Sequence, residues 1–193
     1  MNYKTKALTE EQYFRIIKTI QEGFITKEGH RVSSNPRIAT ALILQANLGL
    51  RIGDILSLHL SDIVRDGDRY RLDIVEQKTG KSRCFTVPTE IFTYLQSYAI
   101  EQGIKPKQRL FEFSVRAVQK HLKLTCEYLD YEGISTHSFR KYFAVSIYNE
   151  NSFNVELVRT LLQHSSVAVT QHYLGVQPQL VEKALSNHIK LPT

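Results

Sequence analysis

Apolar residues recur with a period of two only between Tyr70 and Val87; on either side of that stretch their spacing is helical. Tyr70, Leu72 and Ile74 alternate with Arg71 and Asp73, the pattern of a strand, and Cys84 to Val87 reads as its return, stopped by Pro88. The turn falls at Lys78-Thr79-Gly80-Lys81, where Gly80 supplies a positive φ. One hairpin set among helices predicts an α+β class, mainly α with a small antiparallel β-sheet.

Local punctuation divides the helical remainder. Thr9 with Gln12 three residues on forms a capping-box pattern that opens an amphipathic stretch to about Glu22. The polar run KEGHRVSSNP after it reads as a loop. Asn35 is then an N-cap with Pro36 at the first helical position, and Gly49 ends the apolar run Ile38 to Leu48 in the manner of a left-handed cap. Beyond the hairpin, Ile91, Leu95 and Tyr98 form one stripe, ended near Gly103. Val115, Val118, Leu122 and Leu129 form another, opened by Ser114. Further helices are expected near His137–Tyr148, Val155–Leu162, Val167–Tyr173 and Leu180–Asn187.

The 193 residues are enough to bury one core, and a composition of 42% hydrophobic and 23% charged residues is that of a globular chain. No apolar run approaches the ~18 residues of a membrane span, and nothing apolar follows the first lysines as a secretory signal would. Cys84 and Cys126 lie far apart and outside any metal-ligand spacing, so two reduced thiols are expected. A net charge of +6 favours a polyanionic partner. The basic residues are spread along the chain, so that charge belongs to a folded surface or channel.

Several short segments are unremarkable alone. His137 and Arg140 stand three apart on one predicted helix and share a face, while Phe139 and Phe143 pack that helix inward. His164 follows the core pair Leu161 and Leu162, Ser165 or Ser166 can cap the next helix, and Tyr173 comes nine residues after His164. A lone histidine is usually a surface or hydrogen-bonded residue, and a lone tyrosine, one of ten here, is usually packing.

Taken in order, these segments resemble the catalytic domain of the tyrosine recombinases, or phage integrases. The Arg box is LGLRIGDILSL, giving Arg51; the hairpin QKTGKSRCFTVP gives Lys78; HSFRKYFA gives His137 and Arg140; and LLQHSSVAVTQHYLG gives His164 and Tyr173. The resemblance runs from about Thr9 to Leu185. Three positions depart from it: Gln163 replaces the usual glycine, Asp54 stands where glutamate is common, and Lys141 where many members have a second histidine. Most relatives also carry a helical DNA-clamping domain ahead of the catalytic one. Only about thirty-five residues precede Pro36 here, so the expectation is a single catalytic domain over residues 1–193 without a separate core-binding domain, either as a short, single-domain member or as an excised catalytic fragment. Residues 1–35 would be its N-terminal helix and polar loop, and residues 176–193 a C-terminal helix, either exchanged between subunits or folded back on its own core.

The resemblance implies strand cleavage by Tyr173, leaving a 3′-phosphotyrosyl bond and a free 5′-hydroxyl. Two guanidiniums, Arg51 and Arg140, suit the extra charge of a phosphorane-like state because each donates in a planar fork and keeps its proton. His164 adds a donor. Nearby arginines favour the phenolate of Tyr173, and His137 either takes its proton or organises hydrogen bonds. Lys78 holds the family's general-acid position. No cofactor or metal is implied; ligation is a rival use for His137, His164 and His172, but no carboxylate or thiolate joins them at ligand spacing. Lys81, Arg83, Arg116, Lys120, Lys123 and Lys141 are candidate contacts to the phosphate backbone, with Ser114–Lys123 either a helix near the major groove or a solvated face. The implied partner is double-stranded DNA, with a homo-tetramer on synapsed sites, a monomer when free, no membrane, and a cytoplasmic setting of bacterial, phage or mobile-element origin. Rival readings are relaxation of DNA in the manner of a type IB topoisomerase, and a catalytically silent DNA-binding regulator with this fold.

Overall fold

The first helix begins where its capping box places it. In the computed structural model, which describes residues 5–175 and Ser186, the Thr9 hydroxyl accepts from Gln12 N at 3.1 Å and the Gln12 carboxamide accepts from Thr9 N at 3.0 Å. Helix α1 (Glu10–Glu22) buries Tyr13, Ile16, Ile17 and Ile20, one face at helical spacing. Helix α2 (Pro36–Leu48) starts from the Asn35 side chain, which accepts from Ile38 N at 3.1 Å. It is buried nearly all round, from Ile38 through Leu42 to Leu48, and is therefore the central rod of the fold. Gly49 closes it at φ 60°, and a Cβ there would lie 2.3 Å from the Phe143 ring. Glycine is thus required twice over, for the left-handed cap and for close approach of a later helix.

A short helix α3 (Ile52–Leu56) and a 3-10 turn (Leu60–Asp62) lead into strands β3 (Ile63–Asp66), β4 (Arg69–Val75) and β5 (Ser82–Val87), paired antiparallel in that order. Register sets Leu72 opposite Ile63 on one side and Phe85 on the other, so Ile63, Leu72 and Val87 form the buried face. The Tyr70 ring stacks on Phe92 of α4 (Thr89–Glu101) with centroids 3.8 Å apart.

The mainly helical class holds, but the expectation of one sheet needs correction. Strands β1 (Phe24–Ile25) and β2 (Arg31–Val32) form a second, two-stranded sheet, β1 just ahead of the segment expected to be loop and β2 within it. Its turn is closed by Thr26 N donating to His30 O at 2.9 Å. Strand β3 was also unforeseen. Two or four residues are too few for an alternation to show, and only Phe24 and Ile63 among these strands are buried.

Helices α5 (Val115–Tyr128), α6 (Thr136–Glu150), α7 (Val155–Leu162) and α8 (Val167–Leu174) are capped by Ser114, Ser135, Asn154 and Ser166. Their apolar faces divide between two clusters. The main core joins α1, α2, the sheet, α4, α5 and Phe139 of α6. A satellite of Ala144, Val158 and Leu162, flanked by Phe143, Ile147, Tyr148, Tyr173 and Leu174, holds α6, α7 and α8 together. The C-terminal helix expected within residues 176–193 lies outside the described residues. Both cysteines are free thiols, and no described helix is long and apolar enough to cross a membrane.

Candidate active site

Arg51 follows the Gly49 cap with extended backbone, its flanking Leu50 and Ile52 both buried. That anchoring leaves its side chain 25% exposed, and its Nη1 donates to Glu76 Oε2 at 2.5 Å. Arg140 comes from the other side, on α6, and is 1% exposed. Its Nη2 donates to Leu162 O at 3.0 Å, while its Nη1 is buried without a well-formed hydrogen bond among the described residues. Burial and the charge of Arg51 lower its pKa, but a guanidinium starts high enough to remain charged.

Arg83 was expected to touch DNA, and the structure corrects this. It is 3% exposed; its Nη1 lies 3.4 Å from Glu76 Oε1, and its Nη2 donates to the carbonyls of Leu48 and Leu161. Burial, with the neighbouring charges of Arg140 and Arg51, brings its pKa down to about 10, so it stays a cation at neutral pH. It laces the end of α2 to the end of α7 and cannot reach a phosphate outside.

Gln163 ends α7 at φ 54°, ψ 39°, a left-handed conformation that explains why glycine is usual there. Its side chain compensates by donating to Ser82 O at 3.2 Å, tying the turn to β5. The next residue, His164, is fixed through its main chain: its N donates to Arg159 O at 3.0 Å, and Arg159 Nη1 donates to its carbonyl at 3.3 Å. Burial, then the charges of Arg140 and Arg51, pull the His164 pKa down to about 4, so the ring is neutral at pH 7. His164 Nδ1 lies 3.1 Å from the hydroxyl of buried Thr170, which also lies 3.3 Å from Ser166 O. The single hydroxyl proton sets the tautomer. Given to Ser166 it leaves Nε2 an acceptor; given to Nδ1 it leaves Nε2–H a donor.

Tyr173, on α8, meets the His164 ring edge-to-face at 5.1 Å and the His137 ring at 6.0 Å, and Lys141 Nζ sits 5.3 Å from its centroid. Its hydroxyl is buried and makes no well-formed hydrogen bond among the described residues, though the Arg140 guanidinium is close enough to act on it as a donor. Burial pushes its pKa up to about 12. Arg140 and Arg51 pull the other way, as expected, but desolvation outweighs them: without DNA the group is a phenol. His137 lies at the start of α6, its pKa lowered first by burial and then by Arg140, Arg51, Lys141 and Lys78, so a neutral imidazole able to take a proton stands beside that phenol. Lys78 is exposed on its turn, and its charge reaches His137 as the weakest of these influences.

The six expected residues therefore converge, five closely and Lys78 from the rim. Among the remaining candidates, Lys81, Arg116, Lys120 and Lys123 are exposed, with Lys123 Nζ 3.7 Å from Glu127. Lys141 lies against the tyrosine. Among the described residues no group of three His, Cys, Asp or Glu side chains could hold a metal ion. Sequence reasoning missed Glu76 and Thr170. The alternation that found β4 and β5 could have flagged Arg83, since it shares the inward side of β5 with Phe85 and Val87.

The chain matches the Phage integrase family over residues 6–179. It is 28% identical over 181 residues to the probable integrase/recombinase YoeC of Bacillus subtilis, covering 90% of this chain and 94% of that protein. It is 26% identical over 158 residues to the tyrosine recombinase XerC of Caldanaerobacter subterraneus, covering 76% of this chain but 43% of that one. It thus spans nearly the whole of one relative and less than half of the other. The catalytic domain of bacteriophage HP1 integrase shares the fold, with a TM-score of 0.65 at 20% identity over 96% of each chain.

Proposed function

The chain belongs to the phage integrase family, and on that premise we propose that it is a site-specific DNA recombinase that cuts and rejoins strands through Tyr173. The observation that carries the reading is a pair of buried polar atoms, the Tyr173 hydroxyl and Arg140 Nη1, that make no well-formed hydrogen bond among the described residues although the Arg140 guanidinium lies near enough to act on the phenol. Buried groups left without hydrogen bonds are unfavourable, and a phosphodiester oxygen is an acceptor that suits the guanidinium.

In the reaction the Tyr173 oxygen attacks the scissile phosphorus. The bond to the 5′-oxygen breaks, and a 3′-phosphotyrosyl ester replaces it. His137 accepts the phenolic proton, which a pKa of about 12 keeps in place until attack. Lys78 protonates the departing 5′-oxygen. Arg51 and Arg140 carry the charge that builds on the non-bridging oxygens, and His164 supports them uncharged. The ester stores the bond energy, so a 5′-hydroxyl from another strand can reverse the steps without ATP. Exchange between two sites requires four active tyrosines, hence a homo-tetramer on synapsed double-stranded DNA built from chains that are monomers when free.

The test uses nicked suicide duplexes recovered from a randomised pool by binding to the protein. Wild type should form a covalent adduct at one position of the selected sequence, and Tyr173→Phe should form none while binding equally well. An adduct surviving in Tyr173→Phe removes the tyrosine from its role. Binding without any wild-type adduct supports a silent regulator instead, and relaxation of supercoils at scattered sites by a monomer supports a topoisomerase.

A further inference from the structure

Glu76 is 1% exposed and engaged from three sides. Its Oε2 accepts from Arg51 Nη1 at 2.5 Å and from the Thr79 hydroxyl at 2.9 Å, and its Oε1 faces Arg83 Nη1 at 3.4 Å. Burial works to raise its pKa, but the hydrogen bonds from Arg51 and Thr79 and the charge of Arg51 outweigh that and hold it below the ordinary carboxylate value. It is therefore an anion. Its main chain also closes the Lys78 turn: Glu76 N donates to Lys81 O at 3.0 Å, and Gly80 N donates to Glu76 O at 2.8 Å. Buried Asp54, on the helix that Arg51 opens, accepts from Gln77 N at 2.9 Å.

We propose that Glu76 is a positioning residue that ties the Lys78 turn to Arg51, so that one carboxylate both aims the phosphate-binding guanidinium and sets the proton donor. Neutralising buried Arg83 does not account for the arrangement. The Arg83 contact is the longest of the three, and the Thr79 contact neutralises nothing. What Thr79 does is fix the residue next to Lys78 to the same oxygen that holds Arg51. An otherwise exposed lysine thereby starts from a defined place instead of searching for one. The inference rests on the strand-exchange reading, in which Lys78 protonates the leaving oxygen.

The test compares single-turnover cleavage of two suicide duplexes of the selected sequence. One has the ordinary 5′-oxygen at the scissile phosphate and the other a 5′-bridging sulfur. A thiolate leaves without being protonated, so a protein with a missing or misplaced proton donor recovers on the sulfur duplex. Thr79→Val removes the tether and one hydrogen bond to Glu76 while leaving that carboxylate both of its guanidinium partners. Loss of one hydrogen bond predicts cleavage about 3- to 10-fold slower on oxygen. Its rate on sulfur should match wild type, as should that of Lys78→Ala. Thr79→Ser keeps the hydroxyl and should recover the oxygen rate. Glu76→Gln should show a larger oxygen defect and only partial rescue, because Arg51 also loses its partner. Should Glu76→Gln not fold, as its melting would show, Thr79→Val decides alone. Equal slowing of Thr79→Val on both duplexes, or no slowing on either, overturns the tether, as does failure of sulfur to rescue Lys78→Ala. In each of those cases wild type still forms its adduct; wild type forming none on either duplex defeats the strand-exchange reading itself.

Discussion

Arg51 and Arg83 are set against the main core, where Leu50, Ile55 and Leu42 are fully buried and Glu76 pairs with both guanidiniums. His164 and Tyr173 rest on the satellite, in which Ala144, Val158 and Leu162 are the buried apolar side chains among the described residues. Helix α6 spans both, with Phe139 in the first and Ala144 in the second. The contrast separates two requirements of one reaction. Charge stabilisation works best when the donors do not have to reorganise, so Arg51 and Arg140 are anchored beside the buried residues Leu50 and Phe139 of the larger core, Arg140 reaching from there to Leu162 O of the satellite. The nucleophile needs a correct position only during attack, and it sits on the smaller cluster, whose few buried apolar side chains predict easier local opening.

The largest effect should come from the rigid side. Arg140→Lys keeps the charge but loses the fork that holds Leu162 O with one nitrogen and leaves another for phosphate. Losing one such donor corresponds to about 2.7–4 kcal/mol, or roughly 10²–10³ in rate. Single-turnover adduct formation would measure it, with melting as the control for folding. A rate within tenfold of wild type would mean that the guanidinium is structural only.

A pair of truncations probes the foundations themselves. Leu42→Ala and Leu162→Ala each remove a fully buried side chain, and such changes take away about 2–5 kcal/mol. Leu42→Ala should lower amide protection everywhere. Leu162→Ala should lower it chiefly in α7 and α8, leaving α2 and the three-stranded sheet close to wild type in hydrogen exchange. Uniform loss in both variants would make the molecule one cooperative unit and erase the distinction.

The two parts also differed in how much of them the sequence disclosed. Caps are local, a side chain bonding a main-chain group three residues away, and Thr9, Asn35, Ser114 and Gly49 all act where they were read. The ordered boxes likewise pointed to Arg51, Arg140, His164 and Tyr173, which the fold brings near one another. Glu76 was invisible because its meaning lies in Arg51, 25 residues earlier, brought to it only by folding. Arg83 was misread for a different reason. A basic residue in a basic chain was assigned to the surface, although its place in the alternation of β5 put it inward over Phe85, 4.7 Å from that ring. The protonation state of Tyr173 was beyond reach, since it depends on whether burial or the two arginines dominate.

Acid and alkali should act on the satellite in opposite windows. The His164 pKa falls from 6.5 in the unfolded chain to about 4 in the fold. Between those values the unfolded chain binds a proton that the folded one refuses, so stability is lost as pH drops. His137, lowered in the same direction, adds to this. The Tyr173 pKa rises from 10 to about 12, so from pH 10 upward the unfolded chain releases a proton that the folded one keeps, and stability is lost as pH rises. Melting temperatures across both ranges should fall at each end. Tyr13 and Tyr98 of the main core, also raised to about 12 by burial, share the alkaline loss, so His164→Gln should flatten the acid side and Tyr173→Phe should only make the alkaline side less steep. Unchanged profiles in the variants would place the titrating groups elsewhere.

The smallest effects are expected on the outer surface, where α5 presents Arg116, Lys120 and Lys123 at spacings of four and three, all exposed. If these meet phosphates, each one removed should lower the slope of log affinity against log salt by about 0.9, with modest weakening that is the same for every DNA sequence. Arg116→Ala and Lys120→Ala should show this in salt titrations without any change in melting. Lys123→Ala should show less, because its ammonium already has Glu127 at 3.7 Å. An unchanged slope in all three would make this face a solvated one. DNA would then be gripped mainly through the pocket and the Lys81 turn, and the division between rigid and yielding parts would govern binding as well as cleavage.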